Sequence, residues 1–190
     1  MRMFRLKLMG ILLLSLSSFF LLTGHAEIME NEKEEVYLNY LKHLVLDFAD
    51  KHKDQEDVIV VSKNAHLLYY VRNGQIVQNA QYEGFTINFP VRTALASKYY
   101  RTPEGEMYVD RKNPYSQYTL FLSLSVPGAY GIHGGPTYLK NYIAKKEKED
   151  PDLVWVTKKD DTRGCVAVEN RVIKYLFAQV DEKTPVLIMP

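Results

Sequence analysis

One cysteine in 190 residues is too few for a disulfide framework, so Cys165 has no intramolecular partner. Charge of one sign is lacking too. With 24 basic against 23 acidic residues the formal net charge is +1, and no basic excess asks for nucleic acid as a partner. No His-x-x-x-His or paired Cys/His spacing occurs, which argues against a metal site, and nothing in the chain calls for a cofactor. Repeats, low-complexity tracts and Pro/Gly/Ser-rich linkers are missing as well, so one compact domain is expected. Nor is there an apolar run long enough to span a bilayer. Residues 8–22 are about 15 apolar or small positions, short of the roughly 20 that a membrane helix needs.

That run instead reads as the core of a secretory signal peptide. Arg2, Arg5 and Lys7 precede it, and Gly24-His25-Ala26 follows as a small-x-small exit before the acidic Glu27, Glu30 and Glu32. Cleavage after Ala26 is expected, with an uncleaved anchor as the alternative; either way the rest of the chain lies outside the cytoplasm, in a periplasm or cell wall. The only expected membrane contact is through this segment. Its removal turns the net charge from +1 to −2, since it carries three basic residues and no acidic one.

An unpaired thiol in an exported protein is either a small buried apolar residue or a reactive group. The neighbours of Cys165 favour the second. In Thr162-Arg163-Gly164-Cys165 a glycine stands directly before the thiol, where a sharp turn presents the adjacent N–H groups of Gly164 and Cys165 to whatever the sulfur attacks.

Periodicity predicts a sheet-rich domain behind a leading amphipathic helix that packs on the outside. Over residues 32 to about 53, Val36, Tyr37, Tyr40, Leu41, Leu44, Val45 and Phe48 recur every three or four positions. Residues 58–62 form a β-branched run, and residues 66–72 and 75–83 flank Asn73-Gly74, a two-residue hairpin signal. Thr102-Pro103-Glu104-Gly105 reads as a turn before a strand at 106–109. Further strands are expected at 119–126, 130–133 and 184–189, and a helix at 170–180.

Five pieces of the chain, in order, resemble the L,D-transpeptidase catalytic domain, the cysteine enzymes that remodel bacterial peptidoglycan. They are the hairpin from Val60 to Gly74, Thr102-Pro103-Glu104-Gly105, Tyr130-Gly131-Ile132-His133-Gly134, Thr162-Arg163-Gly164-Cys165-Val166 and Thr184-Pro185-Val186-Leu187-Ile188. The resemblance spans residues 57–190. It implies a β-sandwich or barrel with flanking helices, here preceded by a helical segment at 27–56. It also implies Cys165 as nucleophile, His133 as general base and acid, the Gly134 carbonyl as the group orienting His133, and the N–H groups of Gly164 and Cys165 as oxyanion donors. A thiol of pKa about 8.5 needs such a partner, because little of it is thiolate at neutral pH. Tyr130, Thr162 and Arg163 flank the two motifs as candidate substrate contacts, and Tyr99, Tyr100, Tyr115 and Tyr118 lie near enough in sequence to line a sugar or peptide groove. The other histidines read as structural: His43 and His52 on the helix's polar side, His66 at the start of a hairpin strand where any polar residue serves.

The resemblance implies a peptidoglycan stem peptide as substrate, attacked at its third residue to give a thioester, with an amine of a second stem or of a lipoprotein lysine as acceptor. Two departures matter. Family members commonly carry arginine where Ala167 stands, and a subset with alanine there includes enzymes that hydrolyse wall peptides. Hydrolysis, as an L,D-carboxypeptidase or by cleaving crosslinks, is therefore the alternative, and an inert wall-binding domain a weaker one. A papain-like protease is disfavoured because there the cysteine precedes the histidine. The second departure is length: His133 and Cys165 lie about twice as far apart as usual, so residues 137–160 contain an insertion, in which the apolar spacing of residues 138–147 predicts a short helix beside the site.

Overall fold

In the computed structural model, residues 31–77, 89–94, 101–149 and 160–190 are described. The expected signal segment and residues 78–88, 95–100 and 150–159, including Tyr99 and Tyr100, lie outside them. Among the described residues, no helix is long and apolar enough to cross a membrane. The chain divides into a short N-terminal unit ending at His43 and a larger unit from Leu44 to Pro190.

Helix α1 covers residues 31–51. The apolar stripe foreseen for it is buried at Leu41, Val45 and Phe48, whereas Val36, Tyr37 and Tyr40 are exposed. The larger unit is built on β1 (Asp57–Ser62), β2 (Leu67–Arg72), β3 (Gln75–Ile76), β4 (Phe89–Pro90), β5 (Gly105–Asn113), β6 (Phe121–Leu124), β7 (Gly131–His133), β8 (Val166–Ala167) and β9 (Pro185–Met189). Helices α2 (Lys140–Glu149) and α3 (Asn170–Gln179) complete it, with a 3-10 turn, Thr137–Leu139, leading into α2. The strands run in the order β3-β2-β1-β9-β5-β6-β7-β8, with β4 on β2, as one curled half-barrel.

Why this order holds is legible in the burial of each strand. Every residue of β1 is buried, so β1 needs neighbours on both edges: β2 antiparallel on one side, β9 parallel on the other. Asn73 and Gly74 both take positive φ, +50° and +73°, which matches the hairpin turn predicted between β2 and β3. β5 alternates buried and exposed residues and pairs with both β9 and β6. Its register shifts between Val109 and Arg111, a bulge that bends the strand and lets it serve both halves of the sheet. Inside the curl, Val172, Ile173 and Leu176 of α3 pack with Val109, Leu122, Ile132 and Val166, each such burial contributing about 1.5–3 kcal/mol. This packing sets the β6–β8 end, on which the two expected catalytic residues sit.

Candidate active site

β7 and β8 are parallel neighbours in which His133 lies opposite Ala167. The Val168 N–H donates to the His133 carbonyl at 2.9 Å and fixes that register. Side chains two apart on an extended strand point to one face, and directly opposed residues share a face. Cys165, two positions before Ala167, therefore projects on the same side as His133. Both line one cavity of about 620 Å³, together with Gly134, Thr162, Arg163 and Ala167. A second groove of about 930 Å³ also reaches Cys165, passing Tyr118, Tyr130 and Arg163.

The imidazole is held by one hydrogen bond and by stacking. Nδ1 lies 2.7 Å from the Gly134 carbonyl, which makes it the donor and leaves Nε2 as the basic nitrogen. Tyr118 stacks on the ring with centroids 3.7 Å apart and an interplanar angle of 20°. Phe121 lies parallel to it at 5.7 Å. The loop that follows is anchored as well, since the Gly135 N–H donates to Asn170 Oδ1 at 2.8 Å. Burial among these groups lowers the His133 pKa to about 4, against the small upward pull of the Gly134 bond.

The thiol stands on the turn that the sequence anticipates. Gly164 has φ +96°, and a Cβ there would lie 2.5 Å from Tyr130 Cε1 and 3.1 Å from the Arg101 carbonyl oxygen. Tyr130 thus shapes the turn as well as the groove. Thr162 Oγ1 donates to the Cys165 carbonyl at 2.7 Å and closes it from the other end. Sγ lies 3.6 Å from the Ala129 carbonyl oxygen. Burial raises the thiol pKa, and a bond from the Gly131 N–H works against that rise. Both shifts, the thiol up and the imidazole down, favour the neutral form of each group.

Several neighbours escape a reading of the sequence. Arg92 bridges Ala167 through two backbone bonds of 2.9 Å and lines the cavity. Its guanidinium forks onto Asp161, with Nε 2.8 Å from Oδ1. His66 is more than a polar strand end: with φ +51° it precedes β2, and its Nε2 lies 3.0 Å from Asp160 Oδ1, a carboxylate that also accepts from Thr93 Oγ1. The segment between β7 and β8 contributes Tyr138, Leu139, Tyr142 and Ile143 to the cavity wall. Tyr115 is 94% exposed and lines neither groove.

The sequence model of the L,D-transpeptidase catalytic domain matches residues 56–188. The chain belongs to that family. Among solved structures it resembles an L,D-transpeptidase from Mycobacterium tuberculosis H37Rv, with 16% identity, a TM-score of 0.52, and coverage of 71% of this chain and 58% of that one. It also resembles L,D-transpeptidase 3 from Mycobacterium tuberculosis in complex with a faropenem-derived adduct, at 14% identity, TM-score 0.51, and 71% and 60% coverage. At such identities the likeness is one of fold, and the chain spans about three-fifths of the length of these relatives. No curated protein matches the chain. The fold is thus the L,D-transpeptidase fold, with α2 lying between β7, which carries His133, and β8, which Cys165 precedes.

Proposed function

We propose that the chain is a peptidoglycan L,D-transpeptidase that works through a thioester on Cys165. The observation that carries this is the β7–β8 register, which aligns the thiol and an oriented, neutral imidazole on one cavity face. Because burial favours the neutral form of each group, the thiol proton moves to His133 Nε2 as Sγ attacks the carbonyl carbon of the third stem residue. The oxyanion is met by the Gly164 and Cys165 N–H groups on the +96° turn, each donor of this kind supplying about 2.7–4 kcal/mol. Collapse breaks the peptide bond, the leaving D-alanine amine takes the proton from Nε2, and a thioester remains. An amine of a second stem then gives its proton to Nε2, attacks the thioester and releases the thiol. Tyr118, stacked on the ring, keeps Nε2 aimed through both transfers.

Hydrolysis is the second reading, favoured by Ala167 and by the second groove, which opens Cys165 to solvent from another side. In that case water resolves the same thioester, giving a tripeptide or cutting an existing link. We infer further that the protein is exported to the periplasm or cell wall through its N-terminal segment.

Mass spectrometry of muropeptides after incubation with the chain, beside Cys165→Ala, separates these readings. New dimers linked between third residues are expected from disaccharide-tetrapeptide. Tripeptide without dimers would make the chain a hydrolase, and products identical with and without Cys165 would leave a wall-binding domain.

A further inference from the structure

The strongest unassigned feature of the cavity is a guanidinium placed in line with the reacting groups. Arg92 and Ala167 exchange both backbone bonds at 2.9 Å, so they are directly opposed, and Ala167 is in turn opposed to His133. Arg92, Ala167 and His133 therefore form one row across β7, β8 and the bridge at Arg92, with their side chains on one face. Cys165 shares that face one pleat away, and all four line the same cavity. The middle member is a methyl group, which leaves a saddle between imidazole and guanidinium. Strand spacings of about 5 Å put the Cα atoms of Arg92 and His133 about 10 Å apart, and those of Arg92 and Cys165 on the order of 8 Å apart. A guanidinium on that frame is within side-chain reach of a group bonded one residue beyond the carbonyl that Sγ attacks, since a residue extends about 3.3–3.6 Å.

We propose that Arg92 binds the free α-carboxylate of the leaving residue of the donor peptide. This rests on the acyl-transfer reading above. Asp161 presents the guanidinium: it takes two of the five N–H donors through Nε and one terminal nitrogen, fixing the plane of the fork. The ion pair is about one-third exposed at its ends, 30% for Arg92 and 41% for Asp161, so an arriving carboxylate meets the group at the cavity edge and not in a sealed core. The Thr93 and His66 bonds to Asp160 hold the adjoining segment in place.

The test compares thioester formation by intact mass on a stem tetrapeptide with a free C-terminal carboxylate and on its C-terminal amide, using the full chain, Arg92→Gln and Arg92→Lys. The full chain is expected to acylate faster on the acid, by kcat/KM on the order of 10- to 100-fold. Arg92→Gln should slow the acid alone and bring the ratio close to one; Arg92→Lys, which keeps charge but not the fork, should fall between. Equal slowing of both peptides with an unchanged ratio would mean that Arg92 merely braces Asp161, and would overturn the proposal. So would equal rates on acid and amide in the full chain, a result that needs no variant to fold. Acylation of neither peptide by the full chain would sink the acyl-transfer reading itself and this inference with it.

Discussion

The two walls of the Cys165 cavity are built on different principles. On the His133 side, β6, β7 and β8 are joined by backbone bonds, Ile132 and Val166 are fully buried, and the imidazole is stacked on Tyr118 with Nδ1 bonded to a fixed carbonyl. On the α2 side, Tyr138 and Tyr142 line the cavity while remaining 82% and 62% exposed, and the residues before Thr162 are held by Arg92–Asp161 and His66–Asp160. Buried backbone pairs and close packing tolerate little displacement. A part-exposed pair such as Arg92–Asp161 orients its groups but contributes only about 0–1 kcal/mol, so it yields more readily than a packed strand. The β6–β8 wall is thus the more rigid of the two, and the α2 wall the more adjustable.

Gly164→Ala should do the most damage to the rigid wall. An alanine must hold φ near +96° and also find room where Tyr130 and the Arg101 carbonyl already stand. Positive φ and overpacking together cost about 4 kcal/mol, a fall in Tm of roughly 10 °C for a domain of this size. Thermal unfolding followed by circular dichroism would show it, and a variant melting within a degree or two of the parent would mean that the turn relaxes without penalty.

A smaller effect on the same wall comes through protons. The unfolded chain binds a proton at His133 near its ordinary value of 6.5, the folded chain only near 4, because the stacked, buried ring resists charging. Between those values the unfolded state holds more protons, so stability falls as pH drops through that window, by about 3 kcal/mol in all. Above pH 6.5 this contribution is complete. Urea midpoints measured from pH 7 to pH 4 should show the slope, and His133→Gln should lose most of it. A slope unchanged by the substitution would assign it to other groups, such as Glu104, whose pKa is lowered chiefly by its bond to Lys63.

What the sequence disclosed follows the same division. The rigid wall was readable because its constraints are local: a glycine before Cys165, a glycine after His133, and alternating strands around them. The Asn73-Gly74 turn was readable for the same reason, both residues tolerating positive φ. Two-residue strands such as β4 and β8 carry no period and left no trace. Arg92 enters the cavity only because a bridge forms between residues far apart in sequence, and Tyr118 covers His133 only because it bridges Pro136. Helix α2 was foreseen from its apolar spacing, but that spacing could not say that Tyr138 and Tyr142 line the cavity.

The adjustable wall offers the subtlest change. Replacing Tyr138 and Tyr142 together by serine removes two exposed rings from the cavity edge while Ile143, which is buried, stays in place. Stability should move by less than about 0.5 kcal/mol, as for ordinary surface substitutions. The fate of the thioester should move more. If these rings keep water from the acyl-enzyme while an amine is delivered, their loss shifts products several-fold from dimer toward tripeptide, with the acylation rate nearly unchanged. A constant dimer-to-tripeptide ratio would show that α2 only borders the site, and that the choice between amine and water is made on the β6–β8 side.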